Sequence, residues 1–433
     1  MEQITATTAE KAYLAVVDLG GVDTWTPEDQ IAELSNLAET AGAEVVGWSV
    51  QRRERPDPRT FIGKGKALDV ASLARAAEAT TVIFSEELSP SQQRNLEELF
   101  GTKVLDRTAL ILDIFAQHAH TKEGKLQVEL AQNQYRLPRL RGFGLAWSRT
   151  GGGIGTRGPG EQQLEYDRRV IRRRIQMLSR ELAKVDRERE TQRKRRATGS
   201  VFNVCLVGYT NAGKSSLLNR LTAAEVLVED KLFATLDSTS RKLVLDGREQ
   251  VVLSDTVGFI HNLPHDLIAA FRSTLDEVRF ADCLLHVVDA SHEHYDRQMI
   301  AVLDVLGEIE AADKPRIDVL NKCDLLDAQT VETSLARHPG AIAFSALDGR
   351  GEKELRRAVE GAALKNTVTM TLRIPFAEGK AAQSLRERGR ILSEEYYEDG
   401  LIVTARLREP DTGLFERFVT RNAKPGAGSA PRD

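Results

Sequence analysis

The segment GYTNAGKS at 208–215 sets four residues between Gly208 and Gly213, with Lys214 and Ser215 directly after, and it follows the apolar run 201–207. A glycine-rich loop between a strand and a helix turns backbone amides and a helix N-terminus toward one point, a cradle for phosphate. Tyr209, Thr210, Asn211 and Ala212 fill the loop, and Ser216 follows it. Lys214 has the reach and charge to meet β and γ phosphates, and the Ser215 hydroxyl suits Mg²⁺. Neither role tolerates an apolar residue.

Three further motifs follow in order. DTVG at 255–258 comprises Asp255, Thr256, Val257 and Gly258. Asp255 is expected to reach the metal through water, and the Gly258 amide to sense the γ-phosphate. NKCD at 321–324 comprises Asn321, Lys322, Cys323 and Asp324; SAL at 345–347 comprises Ser345, Ala346 and Leu347. The Asp324 carboxylate can accept from N1–H and the exocyclic amine of guanine, a donor pair adenine lacks, so the base read is guanine. Nucleotide contacts are therefore expected along all four motifs, and GTP and GDP are the expected ligands.

Between the first two motifs lies DKLFATLDSTSR at 230–241. Phe233, Ala234, Thr235, Leu236 and Asp237 are expected to close over the γ-phosphate, with Thr235 as the second hydroxyl on Mg²⁺. Spacing alone leaves Thr239 as an alternative. Lys214, Thr235 and Gly258 form the expected catalytic set. After Gly258 stands Phe259, whose side chain cannot orient an attacking water, so unaided hydrolysis should be slow and a partner should accelerate it. His261 and His265 lie close by, read either as surface histidines or as catalytic groups in cis. Asn211 has two readings, a turn residue or a carbonyl ligand for K⁺ beside the phosphates.

Positioning these loops requires a parallel sheet. Apolar strands at 201–207, 242–246, 250–255, 283–290, 315–321 and 341–346 outline a nucleotide domain over 201–365, with Asp246-Gly247 turning one hairpin and making one strand antiparallel. Before it, residues 1–124 alternate strands and helices, the pattern of a small parallel α/β domain. FIGKGK at 61–66 is either an anion site or a glycine turn. Residues 366–421 suit a compact α+β domain, and 422–433 a disordered tail.

The stretch 125–197 has a different character. Leu164, Ile171, Ile175, Leu178, Leu182 and Val185 repeat at spacings of seven, four, three, four and three, a coiled-coil seam. Its partner is a helix through Leu126, Leu130 and Leu137, so a helical hairpin arm is expected, with GGGIGTRGPG at its tip. No acidic residue falls between Glu129 and Glu161, although the chain carries a net charge of −4. Arg139, Arg141, Arg149 and Arg157 with Trp147 suit phosphate contact and base stacking, and are the expected RNA-binding residues. Thirteen Lys and Arg face seven acidic residues over 161–196, which a solvated helix face also explains.

With 433 residues, 41% hydrophobic and 29% charged, the chain can bury several cores, and wholesale disorder is excluded. No apolar run approaches the roughly 20 residues of a membrane span, and the N-terminal MEQITATTAEK lacks a signal-peptide core, so a cytoplasmic location is expected. Cys205, Cys283 and Cys323 are too scattered for a disulfide framework or zinc site. The pairs His118/His120 and His292/His294 read as solvated or capping residues.

GGGIGTRGPGEQQLEYDRR, LFATLDSTSRK, DTVGFIHNLPHDLIAAFRSTL, FIGKGK and the nucleotide motifs together resemble the bacterial HflX-type GTPases over nearly the whole chain. The resemblance implies an α/β Ras-like P-loop GTPase domain with an N-terminal α/β domain, a helical arm and a small C-terminal domain. It also implies binding to the large ribosomal subunit and its rRNA, with splitting or rescue of stalled or stressed ribosomes. A monomer is expected. Ser238 stands where the family pattern often has Pro, a change that removes no ligand. Two rivals remain, a membrane transport GTPase, disfavoured by the lack of a span, and a signalling or RNA-remodelling NTPase that needs no ribosome and also uses ATP.

Overall fold

The computed structural model describes residues 10–20, 25–140, 159–197, 201–222, 231–245, 250–264, 267, 271–365 and 367–420. The chain opens with β1 (Glu10–Asp18), α1 (Pro27–Thr40), β2 (Ala43–Arg52), α2 (Lys64–Ala76), β3 (Thr81–Phe84), α3 (Pro90–Phe100), β4 (Lys103–Leu105) and α4 (Arg107–His118). The strands pair in parallel in the order β2-β1-β3-β4. Buried on both faces, β1 reads as a continuous apolar run: Ala12, Leu14 and Val16 enter one core, while Tyr13, Ala15 and Val17 enter another. Local chemistry sets the helix starts. Thr26 and Asp29 form a capping box ahead of α1, Ser89 and Gln92 another ahead of α3, each with Pro at the first helical position.

The arm consists of α5 (Lys122–Arg139) and α6 (Pro159–Ala197). Leu126 and Leu130 pack on Leu178 and Leu182 with Ile175 alongside, and Arg174 donates to both Glu129 carboxylate oxygens at 2.5 and 2.6 Å. Farther along, Tyr135, Arg136 and Leu137 share a groove with Arg168 and Arg172, so the two helices run antiparallel.

The nucleotide domain contains β5 (Phe202–Gly208), α7 (Lys214–Thr222), β6 (Thr239–Val244), β7 (Gln250–Asp255), α8 (Arg272–Phe280), β8 (Cys283–Asp289), α9 (Tyr295–Glu308), β9 (Arg316–Asn321), α10 (Ala328–Arg337), β10 (Ile342–Ala343) and α11 (Glu352–Leu364). Its sheet order is β10-β9-β8-β5-β7-β6, parallel except for β6 against β7. The Asp246-Gly247 turn lies outside the described residues. The last unit is the antiparallel sheet of β11 (Thr367–Pro375), β12 (Arg390–Tyr397) and β13 (Gly400–Arg408), with α12 (Gly379–Arg388) and α13 (Glu409–Thr412).

One core crosses the seam between the first and third units. Leu110, Ile114 and Phe115 of α4 share it with Phe233, Leu236, Phe259 and Phe271. The Phe115 ring meets Phe233 edge-on at 4.9 Å and Phe271 at 4.7 Å. The loops flanking the phosphate site are therefore packed against the N-terminal sheet-and-helix unit.

Candidate nucleotide site

Strand β5 ends at Gly208 and α7 begins at Lys214, so the five residues between must curl around their own amides. Asn211 (φ 61°) and Gly213 (φ 90°) take the left-handed conformation that makes this possible. A Cβ on Gly213 would collide with the Asn321 amide nitrogen. The Lys214 ammonium is buried and donates to the carbonyls of Tyr209 at 2.9 Å and Gly208 at 3.3 Å. Burial pushes its pKa down to about 8, against the pull of Asp255.

The Ser215 hydroxyl lies 2.8 Å from the Thr235 hydroxyl and donates to Asp255 Oδ2 at 2.6 Å. Burial raises the Asp255 pKa, with Lys214, Ser215 and Thr235 opposing it. Its Oδ1 is buried without a hydrogen-bond partner. Thr239 pairs with Asp255 across the β6–β7 ladder, but the hydroxyl that joins Ser215 belongs to Thr235. Ser216, Phe233, Ala234, Thr256 and Gly258 line the same cleft. Val257 and Leu236 are buried. A Cβ on Gly258 would come within 2.7 Å of Thr210 Cα and 3.0 Å of Lys214 Nζ, so only glycine lets this segment lie against the phosphate loop.

Asn321 braces the second half of the site. Its amide donates to Ala212 O at 2.9 Å and its Oδ1 accepts from Ala346 N at 3.2 Å, which ties the phosphate loop to the 345–347 loop. Lys322 takes φ 60° and pairs with Asp289 at 2.7 Å. Cys323 is buried and Asp324 half-buried in the same turn. Ser345 is buried and accepts from Asp348 N at 3.1 Å, while Leu347 is exposed.

Several expectations require correction. Asp237 does not face the cleft: its carboxylate accepts from the backbone of His120 and Thr121 at the start of α5. The Tyr209 backbone shapes the loop, but its ring is buried beside Trp25 and its hydroxyl donates to Glu33. Arg139 is not available as an RNA contact. Its guanidinium holds Asp106 at 3.0 Å, Gln93 and the Leu88 carbonyl, and it stacks on Tyr135 at 3.4 Å. Arg141, Trp147, Arg149 and Arg157 lie outside the described residues, as does His265. His261 is half-buried and stacks on Trp25 at 4.9 Å, and burial lowers its pKa.

His261 belongs to a cluster that no local pattern announces. Arg107 of α4 donates to Glu33 of α1 at 2.5 Å and to His261 O at 2.6 Å, and Tyr209 OH accepts from His261 N at 2.9 Å. Phe259 adds a backbone bridge, donating to Gly208 O at 3.0 Å while its carbonyl accepts from Thr210 N at 2.7 Å. The segment after Gly258 is thus pinned to the phosphate loop on one side and to the N-terminal unit on the other.

A mostly parallel sheet with one antiparallel edge strand, a phosphate loop between β5 and α7, and an Asn-Lys-x-Asp turn at the end of β9 define a Ras-like P-loop GTPase. Residues 203–322 match the 50S ribosome-binding GTPase family, 28–116 the GTP-binding GTPase N-terminal family and 118–196 the GTP-binding GTPase middle region. The chain is 48% identical over 382 residues to GTPase HflX of Caldanaerobacter subterraneus (88% of each chain), and 43% identical over 376 residues to GTPase HflX of Escherichia coli (86% of this chain, 88% of that one). It belongs to the HflX family of GTPases.

A GTP-binding protein from Sulfolobus solfataricus, solved in complex with GDP, aligns over 82% of this chain and 99% of its own at 26% identity, with a TM-score of 0.42. Among the described residues no helix is long and apolar enough to cross a membrane.

Proposed function

We propose that this protein binds and hydrolyses GTP and couples that cycle to association with the large ribosomal subunit, where it splits or rescues stalled or stressed ribosomes. The observation that carries the nucleotide reading is the oxygen cluster of Ser215, Thr235 and Asp255 beside the buried Lys214. An all-oxygen donor set with one buried, unpartnered carboxylate oxygen fits a hard divalent cation such as Mg²⁺. Ser215 and Thr235 would hold it directly and Asp255 through water. When bound, the ion supplies positive charge to the phosphate oxygens.

The chain's own groups do the rest. Lys214 binds the β and γ phosphates, the Gly258 amide donates to the γ-phosphate, and Asp324 accepts from guanine while Asn321 holds its loop in register. Phe259 is buried with both backbone groups committed, so it offers no means to orient water. Hydrolysis is accordingly slow until a partner completes the site, a step worth about 10³ to 10⁵ in rate for GTPases. Asn211, left-handed at the loop's crest, is a ligand for K⁺; equal rates in K⁺ and Na⁺ would reduce it to a turn residue.

Support for the ribosomal partner comes from the matched 50S ribosome-binding GTPase family and from the acid-free, arginine-bearing tip sequence of the arm. The test is sedimentation with purified large subunits in a non-hydrolysable GTP analogue and in GDP. Analogue-dependent cosedimentation supports the proposal. Absence of binding in either nucleotide would favour an RNA-remodelling or signalling NTPase instead.

A further inference from the structure

The loop 232–237 touches several different bodies with successive residues. Leu232 N donates to Thr40 of α1, Phe233 packs on Phe115 of α4, Thr235 joins Ser215 and Asp255, and Leu236 enters the shared core. Asp237 then reaches the base of the arm. One carboxylate oxygen accepts from His120 N at 2.9 Å and Thr121 N at 2.7 Å, and the other from the Thr121 hydroxyl. That hydroxyl in turn accepts from Gly124 N at 3.0 Å and caps α5.

The fit admits little else. A carboxylate is acceptor-only and meets three donors here, at the positive end of an 18-residue helix. A Cβ on Gly124 would collide with it, so the first turn of α5 leaves room for the carboxylate only because it carries glycine. Thr235 and Asp237 are separated by at most about 7 Å of chain, and Leu236 between them is buried. The backbone at Thr235 therefore cannot swing far from Ser215 without either breaking the Asp237 cap or moving the start of α5.

We propose that Asp237 is a positioning residue that couples the metal-facing hydroxyl of Thr235 to α5, making closure of the phosphate site and orientation of the arm one equilibrium. The inference rests on reading Thr235 as a metal-site hydroxyl. By linkage, whatever favours the closed loop favours one setting of the arm, and whatever holds the arm in that setting favours the closed loop by the same factor. A γ-phosphate and an arm ligand would thus act on each other without contact.

The test is amide hydrogen exchange at residues 120–124 of the full chain with Mg²⁺, comparing a non-hydrolysable GTP analogue with GDP, alongside single-turnover GTP hydrolysis. Wild type should exchange more slowly at these amides with the analogue than with GDP. Asp237→Ala should abolish that difference and slow hydrolysis about tenfold, the factor supplied by one charge-assisted hydrogen bond. GDP affinity should stay at the wild-type value, which also reports that the variant is folded. Asp237→Asn keeps one acceptor oxygen and should recover part of both effects; Gly124→Ala should mimic the loss from the other side. Exchange that is indifferent to the γ-phosphate in wild type, or Asp237→Ala hydrolysing at the wild-type rate, would overturn the coupling while leaving the nucleotide site intact. Failure of wild type to bind GDP would instead overturn the site and the coupling with it.

Discussion

Arg107→Met tests whether the N-terminal unit holds the phosphate loop and the segment behind it. Arg107 is 7% exposed and its partner Glu33 8%. Its guanidinium makes charge-assisted hydrogen bonds to Glu33 and to the His261 carbonyl. At about 1.5–3 kcal/mol each these sum to roughly 3–6 kcal/mol, in line with the 3–5 kcal/mol expected when a buried pair loses one member. Methionine preserves most of the volume, so the loss is electrostatic. Trp25 stacks on His261 and lies 5.9 Å from the Tyr209 ring, which makes its fluorescence a reporter of this interface once Trp48 and Trp147 are replaced by Phe. With a urea slope near the upper end of ~1–3 kcal/mol per molar, the Trp25 midpoint should fall by about 1–2 M. Glu33→Gln/Arg107→Met should recover much of the loss, because Glu33 no longer stands as an uncompensated buried charge. A midpoint within about 0.3 M of wild type, or a double variant that simply adds the two single losses, would refute the clamp.

Other consequences are open to direct measurement. Asp324→Asn should weaken GTP binding by at least ~2 kcal/mol and favour xanthosine triphosphate, since an amide can donate to the 2-oxo group; an unchanged preference in a competition titration would remove Asp324 from the base site. The pKa of Lys214, about 8 in the nucleotide-free protein, lies below the ordinary lysine value, and the phosphates require the protonated form. GDP affinity should therefore be full well below pH 8 and fall above it, by about sevenfold between pH 7 and 8.8; a flat profile by calorimetry would contradict the burial argument. Arg149→Ala with Arg157→Ala should weaken subunit binding and reduce its log–log salt slope by roughly 0.7–0.9 per lost contact with GTP affinity retained. Trp147→Ala should cost about 1–3 kcal/mol with little change in slope, and silence of all three in a binding titration would sink the RNA assignment.

The phosphate loop, the base-reading turn, the antiparallel β6 and the arm seam were legible because each is a short-range pattern: glycine spacing, a heptad step, an apolar run of strand length. Spacing left Thr239 as an alternative to Thr235, since both lie within reach of Ser215 along the chain, and only the folded loop puts the Thr235 hydroxyl on Ser215. The Glu33–Arg107–His261–Tyr209 cluster was not legible. Its members come from α1, α4 and two loops of the nucleotide domain, 228 residues apart at the widest (33 to 261), and no local periodicity records such a meeting. Arg139 and Asp237 were misassigned for the same reason. An arginine in an acid-free stretch resembles an RNA contact until Asp106 is found against it, and an aspartate in a phosphate-sensing loop resembles a ligand until the start of α5 claims it.

One rate comparison is the most direct test: single-turnover hydrolysis of GTP and of ATP by the purified 433-residue chain, in Mg²⁺ and K⁺, with and without large ribosomal subunits. A buried Phe259 and the guanine-reading role proposed for Asp324 predict slow GTP hydrolysis alone, acceleration of about 10³-fold or more with large subunits, and no matching response with ATP at the same site. Fast GTP turnover by the isolated protein, or a rate that large subunits leave unchanged, would contradict it.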